Sequence, residues 1–244
     1  DVGGTIVLDG LAHALTPSDM RGFEPLFITD EWNHHLYGRI LEELGGVQIE
    51  YRDHGQVEVV AEDPAEPVAG TGSWRYELVE RYSQLVSRIS RRTDVFLVSP
   101  YLKLSDELAL HRRLGQVPII WSMVRQSSEC FEPGDRLWVM SGEPLDRFEA
   151  FVRSTIVAQI PSAYVEGYQR MMEMVGEVSW PSHPEVVFTS NSHYGDDVFK
   201  FWSADRVEQG SRLMIGQHGG VFGISRRSFQ EEHEVMIADR YLSW

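Results

Sequence analysis

Apolar residues recur three or four positions apart along several segments of the chain, a spacing that places them on one face of an α-helix. In the first such segment Leu36, Ile40 and Leu44 share a face, and Gly45 follows as a stop signal. Pro161 separates the fourth segment from the fifth as a hinge between paired helices. The predicted helices are residues 32–44, 74–91, 105–114, 143–159, 162–175 and 196–209.

Short apolar runs alternate with these helices and predict strands at residues 24–30, 93–100, 116–121, 184–189 and 211–215. A strand–helix–strand order is typical of parallel sheets with right-handed crossovers. The predicted fold class is therefore α/β, a Rossmann-like parallel sheet with flanking helices. We expect residues 1–244 to form one such domain, with a helical insertion near 143–178. Residues 57–72, rich in proline and acid, are predicted to be a mobile surface loop.

Charge and cysteine content narrow the range of partners. The 244 residues carry a formal net charge of −15, which disfavours binding to nucleic acid or anionic lipid. The lone Cys130 forms no disulfide within the chain, which fits a reducing compartment. No apolar run reaches the roughly 18 residues of a membrane span. We expect a cytoplasmic protein that contacts a membrane only peripherally, at its inner face.

A glycine-rich segment, Gly216-Gln-His-Gly-Gly-Val-Phe-Gly223, directly follows a predicted strand. Ligands of open α/β sheets bind beyond the carboxyl ends of the strands, and glycines let backbone amides approach them. An imidazole there can take a proton from a hydroxyl. The segment matches neither a phosphate-binding Walker loop nor a dinucleotide fingerprint. A tight turn with a locally packed histidine remains the alternative to a site.

Two other polar segments are candidates for binding or catalysis. Ser190 and Asn191 follow a predicted strand and suit a sugar or phosphate, although Asn191 or Ser192 can instead cap the helix that begins near residue 196. His233-Glu234 begins like a zinc motif, but Ile237 occupies the place of its second histidine, so no metal is predicted. The acidic and histidine residues at 30–35 likewise favour a charged helix start over a metal site.

Several of these segments occur together in an order that resembles a family of transferases first described in spirochaete O-antigen gene clusters. The specific part of the resemblance runs from Phe188 to Trp244, and includes Gly216-Gln-His-Gly-Gly, Glu231-x-His-Glu234 and Ala238-Asp239. Supporting segments are Asp30-Glu-Trp-Asn-His34, Ser99-Pro-Tyr-Leu102 and Ile160-Pro-x-x-Tyr-x-Glu-Gly167.

The resemblance implies a glycosyltransferase-B type fold, of which this chain would be the N-terminal, acceptor-side half. The family continues beyond the position of Trp244 into a donor-binding domain, which this chain is expected to lack. Its glycine loop is similar to that of CDP-glycerol glycerophosphotransferases and capsule Kdo transferases, in which a loop histidine is the base. That histidine corresponds to His218, although Gly220-Val221 stands where those relatives have Thr-Pro.

The function that the resemblance implies is transfer of a sugar from a nucleotide-activated donor to a saccharide or lipid-linked saccharide acceptor in surface polysaccharide synthesis. His218 would be the general base, and Glu234 or Asp239 would orient it or a sugar hydroxyl. No cofactor or metal is expected. Glycerophosphate transfer and a non-catalytic sugar-binding module are the alternatives. The expected substrate-binding residues are Ser190, Asn191, Gln217, Gly219, Gly220 and Gly223.

Overall fold

The computed structural model describes residues 5–9, 16–52, 74–119, 133–220 and 222–243. The loop predicted at 57–72, the end of the strand predicted at 116–121, and Cys130 lie outside the described residues. The elements are, in chain order, β1 Thr5–Asp9, α1 Met20–Leu26, α2 Asp30–Leu44, β2 Gln48–Arg52, α3 Trp74–Ile89, β3 Val95–Val98, α4 Leu104–Arg113, α5 Arg147–Gln159, a 3-10 turn Ser162–Tyr164, α6 Tyr168–Glu177, β4 Val186–Thr189, α7 Ser192–Gly195, α8 Asp197–Glu208, β5 Arg212–Gly216, α9 Phe229–Ile237 and β6 Arg240–Leu242.

The chain forms two compact units, each with a parallel sheet. The described residues of the first unit are 5–9, 16–52 and 133–169, and β1 pairs with β2 in it. The second unit holds the rest, with strand order β3-β4-β5-β6 and every pair parallel. Helices flank these sheets, which confirms the predicted Rossmann-like α/β fold. One domain with an insertion near 143–178 stays a prediction, because compact units need not be separate domains.

The core of the second unit is built around an aromatic cluster. Phe96 of β3 lies 5.3 Å from Trp202 of α8 between ring centroids, and Trp180 lies 5.2 Å from Trp202. Phe199 completes the group, and all four side chains are buried. Edge-to-face aromatic pairs of this kind add about 0.5–1.5 kcal/mol each beyond the area that they bury. The cluster therefore fixes α8 against the sheet whose loops form the site described below.

Helix α2 begins two residues earlier than predicted, because Thr29 caps it by accepting a hydrogen bond from the Trp32 amide at 3.2 Å. Its buried residues are His35 and Gly38, whereas the predicted apolar face is half-buried or exposed. A Cβ at Gly38 would collide with the Tyr51 hydroxyl on β2. Close backbone approach, more than apolar periodicity, therefore selects the face that packs.

The strand predicted at 24–30 is wrong. Residues Met20–Leu26 form α1, whose first turn is capped by Asp19 accepting from the Gly22 amide at 2.8 Å. Leu26 is buried but Ile28 is 70% exposed, so the run Pro-Leu-Phe-Ile is not a buried strand. Short apolar runs are ambiguous between helix and strand, and here the capping aspartate decides.

The strand predicted at 116–121 is also wrong over its described part, because residues 116–119 form no strand. The Gln116 side chain instead accepts from the Val95 amide at 2.8 Å and donates to the Val95 carbonyl at 2.6 Å. One side chain thereby makes both hydrogen bonds that a neighbouring strand would offer to the start of β3.

The predicted helix pair around Pro161 is present with later starts. Helix α5 begins at Arg147, because Asp146 accepts from the Glu149 amide at 2.8 Å. After Pro161 the chain makes a 3-10 turn before α6.

No helix among the described residues has both the length and the apolar character needed to cross a membrane.

Candidate functional site

Polar segments meet at the carboxyl edge of the second sheet. Val98, Thr189, Ile215 and Tyr241 are in register across β3, β4, β5 and β6. The segments that follow β3 and β4 are joined by a hydrogen bond, in which the Ser190 amide donates to the Ser99 carbonyl at 3.4 Å. This edge is where open α/β sheets bind ligands.

The glycine-rich segment after β5 adopts backbone angles that favour glycine. Gly219 and Gly220 have φ of 99° and 70°, and a Cβ at either would meet no atom within 4 Å. Both are therefore glycine because of the backbone turn, and their surroundings are open. Gly216 differs, because a Cβ there would lie 2.9 Å from Phe188 Cζ and 3.1 Å from Ser190 Oγ.

The ends of this loop are held by side chains. Gln217 is buried, and its Nε2 donates to the Phe222 carbonyl at 3.0 Å. The Gly223 amide donates to Glu231 Oε2 of α9 at 2.9 Å. These two hydrogen bonds hold the loop on either side of Gly219 and Gly220. Gln217 and Gly223 support the loop conformation by these bonds.

The His218 side chain is exposed at the centre of this edge. Its ring lies 5.6 Å from that of Tyr101 and 6.3 Å from that of Phe222, tilted by 49° and 54°. Among the described residues no group hydrogen-bonds to its ring nitrogens. The imidazole therefore packs against the rings of Tyr101 and Phe222 while it stays exposed. This geometry fits the locally packed turn histidine as well as a site.

His193 and Glu234 form a buried pair beside the loop. His193 Nε2 lies 3.1 Å from Glu234 Oε1, and the two residues are 8% and 4% exposed. Burial lowers the pKa of His193 to about 4, with smaller contributions from coulombic interactions with His233, Lys200 and His218. Burial also raises the pKa of Glu234, with a smaller opposing effect of the Tyr241 hydroxyl. At neutral pH the imidazole is therefore uncharged.

Each partner of this pair has a second polar atom without a hydrogen bond to the described residues. These are His193 Nδ1 and Glu234 Oε2, and the buried Tyr241 hydroxyl shares the condition. Desolvation and the Glu234 charge raise the pKa of Tyr241 to about 12, so its hydroxyl stays protonated. Sequence reasoning missed His193, although both segments of the pair stood out as polar.

Asn191 has a specific partner in place of a capping role. Its Nδ2 donates to the Tyr101 hydroxyl at 2.5 Å, and it makes no side-chain cap bond to α7. Helix α8 is capped by Asp196, which accepts from the Phe199 amide at 2.9 Å. The interpretation of Asn191 or Ser192 as that cap is therefore wrong. Ser190 is buried beside Gly216.

Asp239 lies at the other end of the strands. Its carboxylate accepts from the Leu213 amide at 2.8 Å, and its own amide donates to the Leu213 carbonyl at 2.9 Å. These bonds join the start of β5 to the chain just before β6. The structure thus pairs Glu234 with His193, but gives Asp239 a position in strand pairing.

Tyr101 is the residue of this edge that motif spacing did not single out. It follows β3 within the segment Ser99-Pro-Tyr-Leu102, which is one of the supporting matches in the family resemblance. Ser99 and Tyr101 have φ of 46° and 56°, the only positive values among described residues other than glycine. Such backbone conformations cluster at ligand sites.

Comparison with known proteins agrees with the family that the ordered motifs indicate. A family model described as LIC12162 family transferase matches residues 4–244. No curated protein and no solved structure matches the chain significantly. Because the family match spans nearly the whole sequence, the chain belongs to the LIC12162 family of transferases.

Proposed function

We propose that this transferase moves a sugar from a nucleotide-activated donor to the hydroxyl of a saccharide acceptor, in the synthesis of a surface polysaccharide. The observation that carries the proposal is the exposed His218 imidazole, held by ring contacts next to open, positive-φ glycines at the carboxyl edge of the sheet. A general base and a phosphate-binding loop meet there.

His218 acts as the general base in this proposal. It accepts the proton of the acceptor hydroxyl while that oxygen bonds to the sugar carbon of the donor. The bond from that carbon to the diphosphate oxygen breaks, and the nucleoside diphosphate leaves with the electron pair. General-base catalysis of this kind contributes about 10²–10⁴-fold to a rate.

The glycine loop binds the diphosphate in the same proposal. The open space beside Gly219 and Gly220 lets phosphate oxygens reach the backbone amides, which stabilise the charge that develops on the leaving group. Ser190 and Asn191 contribute polar groups from the neighbouring strand end. We propose that amides and cationic side chains hold the diphosphate without a metal ion.

Glu234 acts indirectly, through His193. The carboxylate fixes the His193 ring, and His218 is one of the groups whose coulombic interaction lowers the pKa of His193. A buried, oriented pair behind the loop supports a preorganised base. A direct orienting role of Asp239 remains a weaker proposal, because its carboxylate accepts from the Leu213 amide.

The acceptor in this proposal is a saccharide, free or lipid-linked. A lipid-linked acceptor would bring the protein to the inner face of the membrane from the cytoplasm. Because the net charge of −15 disfavours anionic lipid, the membrane contact in this proposal is peripheral and is made through the acceptor.

The test is release of nucleotide by the full-length protein over a panel of nucleotide sugars, with CDP-glycerol as a separate arm. Release from one nucleotide sugar, increased by a saccharide acceptor, is the expected result. Release from CDP-glycerol alone would replace sugar transfer with glycerophosphate transfer, which can use the same base and loop. Acceptor binding without release from any donor would overturn the proposal in favour of a sugar-binding module.

A further inference from the structure

Tyr101 combines an unfavourable backbone conformation with an exposed side chain. Its φ of 56° lies in the left-handed region, which side chains with a Cβ adopt only when surrounding structure enforces it. Ser99, two residues before it, has a φ of 46°. The chain therefore accepts two unfavourable residues directly after β3, and what they achieve is the placement of the Tyr101 ring.

That ring is held at two points. The Asn191 side chain donates to the Tyr101 hydroxyl at 2.5 Å, and the ring lies 5.6 Å from the ring of His218. Because the hydroxyl accepts the Asn191 hydrogen bond, its own hydrogen remains to donate, and no acceptor for it occurs among the described residues. The side chain is therefore oriented and still has a polar group to offer.

Packing does not account for this tyrosine. Tyr101 is 62% exposed, whereas the aromatic residues that stabilise the core of the same unit, Trp180 and Trp202, are 6% and 2% exposed. An aromatic side chain fixed in place with most of its surface in water is what a binding platform requires, because little conformational entropy remains to be lost.

We propose that Tyr101 is the platform on which the acceptor sugar stacks, so that the hydroxyl of that sugar is presented to His218. This inference rests on the proposed function. The C–H bonds on the apolar face of a pyranose carry partial positive charge and match the negative face of an aromatic ring. The phenol hydrogen donates to a ring oxygen or hydroxyl of the same sugar.

The acceptor, and not the nucleobase of the donor, is assigned to this ring because of its contact with His218. The group that stacks beside the base is the group that gives up its proton. The phosphates of the donor belong on the other side of His218 in the chain, at Gly219 and Gly220, where the surroundings are open. A nucleobase on Tyr101 would place the donor where the acceptor hydroxyl must be.

Binding measured without any donor tests the platform separately from turnover. Saturation-transfer NMR is recorded on the full-length protein with methyl glycopyranosides and their disaccharides, and with UMP and CMP in a second arm. The variants are Tyr101→Gly, which removes the ring and relieves the backbone, and Tyr101→Phe, which keeps the ring and loses the hydroxyl. Tyr82→Ala is the matched control, because Tyr82 is 37% exposed in the same unit and its hydroxyl also makes a hydrogen bond, to the Pro118 carbonyl.

We expect Tyr101→Gly to lower the sugar signal at least fivefold without lowering the thermal midpoint, since glycine prefers this φ. Tyr101→Phe should retain part of the signal, and Tyr82→Ala all of it. A Tyr101→Gly variant that binds sugar normally, or loses only the nucleotide signal, overturns the platform. So does wild-type protein that binds no glycoside.

Failure of the platform and failure of the proposed function give different results. If Tyr101→Gly transfers sugar at the wild-type rate, the platform is wrong and the transferase reaction stands. If sugar binding depends on Tyr101 but no donor releases nucleotide, the platform stands and the proposed reaction is wrong.

Discussion

Burial acts on both members of the His193–Glu234 pair in the same sense, towards the uncharged form. It lowers the pKa of His193 to about 4 and raises that of Glu234. In the tautomer that carries its hydrogen on Nε2, the neutral imidazole donates to the Glu234 carboxylate. Because Glu234 is 4% exposed, no water at the surface replaces this bond when the carboxyl group is removed.

Substitution of Glu234 separates the hydrogen bond from the charge. Glu234→Gln keeps an oxygen that accepts from His193, so we expect it to be close to wild type in stability. Glu234→Ala leaves a buried donor unsatisfied and should lower the free energy of unfolding by about 1–3 kcal/mol. Urea denaturation at pH 7 measures both, with Glu232→Ala as an exposed control on the same helix. Equal stability of the Gln and Ala variants would show that the bond contributes nothing.

A single residue pair also orders the chain ahead of α5. Arg136 donates from Nε and Nη2 to the two carboxylate oxygens of Glu166 at 2.8 Å and 2.7 Å, and from Nη1 to the Val157 and Ile160 carbonyls. The hydrogen bonds from Arg136, aided by the Gly134 amide and opposed by desolvation, lower the pKa of Glu166 to about 2.

The depressed pKa of Glu166 predicts an acid-sensitive contribution to stability. The unfolded chain takes up this proton near pH 4.5 and the folded chain near pH 2, so the contribution is complete above 4.5 and is lost as pH falls towards 2. Glu166→Gln should lower the thermal midpoint at pH 7 and flatten its fall between pH 4.5 and 3. Glu173→Gln, from an exposed pair with Arg170, is the control. Parallel curves for Glu166→Gln and wild type would contradict the assignment.

At the scale of elements, the end of β5 depends on close contact with β4. Gly216 is buried, and the Phe188 ring and Ser190 hydroxyl occupy the space of a Cβ. The glycine loop can start at this place only because the strand before it lies so close to its neighbour. A glycine in a strand often marks such an approach.

Alanine substitution at two glycines tests this contact. Gly216→Ala should destabilise the protein by about 1–3 kcal/mol, because the new methyl group would lie only 2.9 Å from the half-buried Phe188 ring. Gly176→Ala is the matched change in α6, where a Cβ meets no atom within 4 Å. Helix propensity predicts that it stabilises by roughly 0.5–1 kcal/mol. Chemical denaturation of both variants measures the difference, and a neutral Gly216→Ala would refute the close packing.

Element prediction was right for the long helical patterns. Among the short apolar runs it was right for β3, β4 and β5 but wrong at 24–30 and 116–119. Helices α2 and α3 repeat their apolar spacing over three or more turns, and both are present. The run at 24–30 offers too few positions to distinguish a helix from a strand, and Asp19 outside the run decided the outcome. At 116–119 the Gln116 side chain makes the two hydrogen bonds to Val95 that a neighbouring strand would make. Strand propensity does not predict such a side-chain bond.

At the scale of the whole molecule, the order of strands explains how much of the site could be predicted. The sequence placed Asn191 and His218 each after a predicted strand, and the parallel pairing of β4 with β5 brings these two strand ends to one edge. The pairing of His193 with Glu234 and of Asn191 with Tyr101 joins residues 41 and 90 positions apart. Those contacts depend on loop conformations and on the placement of α9, which spacing does not determine.

The charges around His193 are of both signs. The protein carries a formal net charge of −15, and Lys200, His218 and His233 act on His193 to lower its pKa. Carboxylates stand among these groups, because Lys200 pairs with Asp197 at 2.9 Å and Glu234 pairs with His193.

The central claim is that His218 is the base of the transfer, and one substitution addresses it. The rate of sugar transfer by full-length His218→Ala is compared with that of wild type, using the donor identified from the panel and a matched thermal midpoint as proof of folding. We predict a fall in turnover of about 10²–10⁴-fold, because the acceptor hydroxyl loses its proton acceptor. Turnover within tenfold of wild type in the folded variant would contradict the assignment of His218 as the base.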